Sequence, residues 1–235
     1  MVKSLLMILS LQAPGVSNMK ILEILTEAQI NPGIQKILTQ KGYKFLGKGQ
    51  DQDVYLAPDG TILKIFGYEG GSKGFSKSQQ SFVDFANFCM NNPDNPFLPQ
   101  FGGWETFEFK GQQYLQIKCE RLFDFQKSNA GDIAIQLENL ASEVQLNGAY
   151  MGYKAFMLYR YEIHGSDEQH IAIGSLIALL GGEDEVLFLC KTIEQLSDLA
   201  RQKGYTFDLH RYNFMLGSDG EIVINDPFFT GAWRK

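Results

Sequence analysis

Three oxygen-bearing side chains, Asp208, Asn213 and Asp226, impose the tightest constraint on this chain. Asp208 and Asn213 stand five residues apart in Asp208-Leu-His-Arg-Tyr-Asn213, just past the end of an expected helix. Asp226 follows thirteen residues after Asn213, beyond a turn (Gly217-Ser-Asp-Gly220) and a short apolar strand, Ile222-Val223-Ile224. A hairpin of this kind brings the three groups together. Two carboxylates and a carboxamide are what a hard divalent cation and a phosphate-bearing ligand require. The plain alternative is a solvated loop holding three polar residues with no joint role. Pieces further upstream decide against it.

At 235 residues the chain holds one large domain or two small lobes. Its net charge of −6, with no Lys/Arg block, argues against broad nucleic-acid or anionic-membrane binding. Cys89, Cys119 and Cys190 are widely spaced, odd in number and flanked by apolar residues. They read as buried free thiols of a cytoplasmic protein, not as a metal site or disulfide frame. Lys3, Leu5-Leu-Met-Ile-Leu9 and Ala13-Pro14-Gly15 have a faint signal-peptide shape, but the apolar run is short. Met19 makes an equally good start, so residues 1–18 are expected to be an extension, disordered or loosely helical. No stretch is apolar for long enough to span a bilayer, so no membrane partner is expected.

Apolar spacing from Leu22 to about Thr39 predicts two short helical pieces broken at Asn31-Pro32-Gly33, with Pro32 opening the second. A strand, turn, strand pattern is expected to begin over Tyr43–Gly49, with Val54–Leu56 and Ile62–Phe66 flanking a hairpin turn at Pro58-Asp59-Gly60. After a glycine-rich connection, 67–74, a helix is expected over Ser78–Met90 with Phe82, Phe85, Phe88 and Cys89 buried. A second hairpin follows, Trp104–Phe109 and Gln112–Lys118 around Lys110-Gly111. Helices then run over Ile133–Leu146, Ile171–Leu180 and Glu183–Lys203, and Ala149–Ile163 is open between helix and loop. Acids at 183–185, Arg201 and Lys203 at the far end, and Gly204 bound the longest helix.

The Asp208/Asn213/Asp226 spacing resembles the protein kinase-like superfamily, in which Asp-x-x-x-x-Asn precedes a hairpin ending in Asp-Phe-Gly. Here Asp226-Pro227-Phe228 stands in that last place. The resemblance implies an α+β, two-lobed fold: an antiparallel-sheet N-lobe over 19–118, a hinge at 119–122, and a reduced helical C-lobe over 123–235. It implies that Gly47-Lys48-Gly49 covers the phosphates of ATP, that Val54 covers the adenine, and that Lys64 contacts phosphate. Backbone groups of Glu120 and Leu122 would meet the adenine edge, with Cys119 behind. Asn213 and Asp226 would hold Mg²⁺, and catalytic Asp208 would orient or deprotonate an acceptor hydroxyl. Alternation alone sends Lys64 either to solvent or into a cleft, and the C-terminal motif favours the cleft.

The pattern departs from the family in several places. Gln52 stands where a third glycine is usual, and the expected 78–90 helix carries no Glu. Its only acid, Asp84, either pairs with Lys64 at shorter reach or faces solvent. Thr206-Phe207 replaces the His-Arg before the catalytic Asp, and Pro227 removes a backbone donor from the metal-binding turn. Nine residues follow Asp226, so the resemblance covers Tyr43 to Phe228 and not a substrate platform. His164, His170 and His210 share no metal-ligand spacing; His210 contacts a transferred phosphate, packs, or faces solvent. The leading expectation is an ATP/Mg-dependent phosphotransferase acting on an unidentified hydroxyl acceptor, a small molecule or protein. The alternatives are a pseudokinase, binding nucleotide or serving only as an interaction module, and more weakly a nucleotidyl transferase.

Overall fold

The computed structural model describes residues 30–48, 52–67, 75–124, 131–158 and 167–230. The 1–18 extension, the 22–29 helical piece, Gly49, the connection from 68 to 74 and His164 lie outside the described residues, as does the side chain of His170. The described residues form an α+β fold whose largest sheet is five-stranded and antiparallel.

Helix α1 spans Pro32–Gln40, and Asn31 caps it: its Oδ1 accepts from Gly33 N at 2.9 Å while Pro32 occupies the first turn. That is the arrangement expected of Asn-Pro at a helix start. Strands β1 (Lys44–Lys48), β2 (Gln52–Leu56) and β3 (Ile62–Gly67) follow. At the turn before β3, Asp59 Oδ1 accepts from both the backbone N–H and the hydroxyl of Thr61, and Gly60 takes φ +86°. Helix α2, Lys77–Asn91, opens with a capping box between Ser76 and Gln79, and Gln79 also donates to Gly67 O at the end of β3. Strands β4 (Phe101–Phe109) and β5 (Gln112–Cys119) complete the sheet, in the order β1-β2-β3-β5-β4.

Both faces of this sheet are covered, which is why β3 reads as an almost continuous apolar run. Tyr55, Leu63, Ile65 and Tyr114 pack against Ile30, Ile34 and Leu38 on and beside α1. On the opposite face Phe66, Leu115 and Ile117 pack against Phe82 and Val83 of α2. The other surface of α2 belongs to a larger core. Phe85 and Cys89 join residues of helices α3 (Gly131–Asn147), α4 (Ala149–Phe156), α5 (Asp167–Leu180) and α6 (Glu183–Lys203). The turn after α2 is locked to this core as well: Asn95 donates to the buried Thr192 hydroxyl at 2.9 Å, and Phe97 O accepts from Ile224 N.

Several elements differ from the sequence-based expectation. The second hairpin begins at Phe101, three residues early, and α5 begins at Asp167. Ala149–Phe156 is helical because Glu194 of α6 accepts from Ala149 N at 3.2 Å, capping from another element. Three short strands were not anticipated: β6 (Phe123–Asp124), β7 (Thr206–Phe207) and β10 (Phe228–Phe229). β6 joins β8 (Phe214–Leu216) and β9 (Ile222–Ile224) in a three-stranded sheet, while β10 pairs with β7. Two-residue strands carry too little pattern for alternation to register. The three cysteines are free and buried as expected, and burial pushes each thiol up, Cys190 to about 12. No helix among the described residues is long and apolar enough to cross a membrane.

The close approach of α3 and α4 rests on Gly152, where an added Cβ would lie 2.6 Å from Val144 Cα. Gly174, exposed on α5, has nothing within 4 Å of the same position. Gly152→Ala should therefore lose about 1–3 kcal/mol in urea unfolding through overpacking. Gly174→Ala should gain up to ~1 kcal/mol from helix propensity. Equal effects would contradict the packing described.

Candidate functional site

The candidate residues fall into two groups, one reaching α2 at Phe82 and the other at Phe85. The first runs across the large sheet. Gly47 pairs with Val54, Val54 with Lys64, and Lys64 with Ile117, so these residues form one cross-strand row. Residues directly opposite one another share a face, and Ile117 belongs to the face covered by α2. Lys64 therefore enters the layer between sheet and helix. Its ammonium rests 4.3 Å from the centroid of the Phe82 ring, a cation–π contact. Burial raises the Cys119 thiol, and the nearby Lys64 charge partly offsets that rise. Lys48 stands opposite Asp53 at the sheet edge. Burial holds the Asp53 carboxyl above the usual range, and the Lys48 charge acts against that.

The acid of α2 does neither thing the sequence suggested. Asp84 is buried, and its partners are on α6 and beyond: Tyr205 Oη donates to Oδ2 at 2.8 Å, and Lys203 Nζ lies 3.4 Å from the same oxygen. Gln80 Nε2 donates to Oδ1 at 3.0 Å. The carboxylate is held on the side of the C-terminal core, where Tyr205 and Lys203 meet it. Sequence offered no signal for Tyr205 or Lys203, which lie more than a hundred positions away from Asp84.

The second group is Asp208, Asn213 and Asp226. α6 ends at Gly204, whose left-handed φ of +69° closes the helix and turns the chain into β7. β7 pairs with β10, and just past that ladder Asp208 N donates to Pro227 O at 2.8 Å. The 3₁₀ turn Arg211–Asn213 then leads into β8. Asn213 closes the site: its Nδ2 donates to the backbone carbonyl of Asp208 at 2.7 Å and to that of Asp226 at 3.0 Å. Its own carbonyl accepts from Asn225 N at 2.7 Å. Because both partners of Nδ2 are carbonyl oxygens, the carboxamide can face only one way, which leaves Oδ1 for a ligand.

Asp226 is exposed and takes φ +51°, one of two described non-glycine residues in left-handed backbone. Asp tolerates this region better than most residues, yet the conformation costs energy that the surrounding bonds must offset. Pro227, buried directly after it, lacks an N–H and leaves only its carbonyl for Asp208. The side chains of Asp226 and Asn213 would offer a cation oxygen alone, the donor chemistry that suits a hard ion such as Mg²⁺. His210 caps the 3₁₀ turn: its Nδ1 accepts from Tyr212 N at 3.2 Å, so Nε2 is the nitrogen left for another partner.

At the expected hinge, Glu120 N donates to Gln100 O at 2.9 Å, and Gln100 N donates to Glu120 Oε1 at 2.7 Å. Glu120 can therefore offer a ligand its carbonyl but not its N–H. Leu122 is half-buried just before β6. The Glu120 carboxylate lines a cleft of about 300 Å³ with Asp94, Asp219 and Glu221. Neither Lys64 nor the Asp208 group lines that cleft, and its acidic wall would repel phosphate.

A scan against protein-family models finds no match for this chain, and a search of the curated proteins finds none either.

Replacing Asn213 tests the bridge. Asn213→Ala should lower unfolding stability by about 1–3 kcal/mol, since two carbonyls lose their donor. Asn213→Asp, which sets a carboxylate against those carbonyls at neutral pH, should lose at least as much. An Asp variant as stable as wild type would show that the carboxamide does not bridge.

Proposed function

We propose that this chain is an ATP- and Mg²⁺-dependent phosphotransferase of the protein kinase-like superfamily, with a two-lobed arrangement around α2. The observation that carries the reading is the Asn213 carboxamide, which joins the backbones of Asp208 and Asp226 and so brings the three residues of the motif together. Support also comes from the row Gly47–Val54–Lys64, which sets a glycine, an apolar cover and a cation on one sheet face. Aromatic contacts link the two groups: Lys64 on Phe82, Phe82 to Phe85, and Phe85 to Phe228, two residues past Asp226.

On this reading ATP takes its place between the sheet and the Asp208 group. Val54 covers the base, the Glu120 carbonyl and Leu122 backbone meet its edge, and Gly47-Lys48-Gly49 lies over the phosphates. Lys64 leaves the Phe82 ring to meet phosphate oxygens, exchanging a cation–π contact for a charge-assisted hydrogen bond. Asn213 Oδ1 and Asp226 would hold Mg²⁺, which when bound would neutralise charge building on the phosphates. Asp208 accepts the proton of the acceptor hydroxyl as its oxygen bonds to the γ-phosphorus, and the bond to the ADP oxygen breaks.

One observation favours a second reading, a pseudokinase that binds nucleotide or a partner without transferring phosphate. Asp84 is committed to Tyr205 and Lys203, so α2 supplies Lys64 with a ring and not a carboxylate. Release of ADP from ATP, followed with Mg²⁺ and a panel of hydroxyl acceptors including water, separates the two. Phosphotransfer predicts turnover that falls at least about 100-fold in Asp208→Asn and in Asp226→Asn, the scale of lost acid–base or metal assistance. Turnover unchanged in both variants contradicts the proposed roles; ATP binding without turnover on any acceptor selects the pseudokinase.

A further inference from the structure

The buried cluster around Asp84 has no part in the chemistry described so far, yet it touches the elements that carry that chemistry. Tyr205 lies between α6 and β7, three residues before Asp208. Its hydroxyl donates to Asp84 Oδ2 at 2.8 Å, and its ring lies 5.7 Å from that of Phe228, two residues after Asp226. Phe228 is also held edge-on by Phe85 of α2, at 5.9 Å, and its backbone pairs with Phe207. Thus one side chain is tied to α2 by its hydroxyl, to the Asp226 strand by its ring, and to Asp208 through the two residues between them.

We propose that Tyr205, anchored by Asp84 and packed on Phe228, is a positioning residue that sets where Asp226 stands relative to Asp208. The proposal rests on the phosphotransferase reading and deepens it by assigning α2 a route to the metal site that bypasses Lys64. Asp226 needs such support, because its left-handed backbone has to be held from outside. Asn213 holds the carbonyl side of that residue. Tyr205 and Phe85 hold the strand that follows it. The Lys203 ammonium, 3.4 Å from the same Asp84 oxygen, braces the carboxylate from the α6 side.

The test follows the melting temperature of the full chain while Mg²⁺ is titrated at fixed ATP, alongside ATP alone in chelator. Tyr205→Phe keeps the ring and removes the hydroxyl. It should raise the half-saturating Mg²⁺ by about tenfold, the low end for a residue acting behind metal ligands, with chelator-ATP binding unchanged. Asp84→Ala should do the same, and the double variant should add nothing further. Asp84→Asn retains an oxygen for the hydroxyl and should stay near wild type. A Tyr205→Phe chain that melts lower but keeps the wild-type Mg²⁺ half-saturation overturns the positioning role and leaves phosphotransfer standing. A wild-type chain with no Mg²⁺ response overturns both.

Discussion

The Asn213 carboxamide is the contact on which the C-terminal half depends. One NH₂ group serves two backbone carbonyls, thirteen and five residues away along the chain in opposite directions. A neutral amide is the side chain suited to that place, since a carboxylate has no hydrogen to give at neutral pH and a hydroxyl has only one. The bridge also decides orientation. With both hydrogens spent on carbonyls, the amide oxygen is the atom left over. On the proposed reading, a structural bond and a metal-facing atom thus come from the same residue.

Helix α2 plays the corresponding part for the whole molecule. Its Phe82 side packs on the sheet and carries the Lys64 ammonium, while its Asp84–Phe85 side packs on Tyr205 and Phe228. A helix with both faces buried needs aromatic and aliphatic residues around most of its circumference, which Phe82, Val83, Phe85, Ala86 and Cys89 supply. The one buried carboxylate on it requires partners, and Tyr205, Lys203 and Gln80 provide them. α2 is therefore in contact with both, with Lys64 through Phe82 and with the strand after Asp226 through Phe85.

Local chemistry made much of this legible in advance. Asn31-Pro32, Pro58-Asp59-Gly60 and Gly204 each act within a few residues, so the helix start, the turn and the helix end they mark could be read directly. The spacing of Asp208, Asn213 and Asp226 around a turn and an apolar strand pointed to their meeting. What escaped the reading depends on distant partners. Asp84 reaches Tyr205 across 121 positions, Glu194 caps α4 across 45, and the two-residue β7 and β10 exist only because they pair. Lys64 was readable as leaving its apolar neighbours' face, but a ring as its resting partner was not. No alternation pattern encodes which side chain a helix will place over a strand.

The central claim is that Asp208, Asn213 and Asp226 form one metal-assisted nucleotide site. Calorimetric titration of ATP into the wild-type chain and into Asp226→Asn, each with saturating Mg²⁺ and again in chelator, tests it most directly. The account predicts that Mg²⁺ tightens ATP binding at least tenfold in wild type and that Asp226→Asn loses this gain while its Mg²⁺-free binding persists. Equal Mg²⁺-ATP affinity in the two chains, or no binding heat in wild type at millimolar ATP, would contradict it.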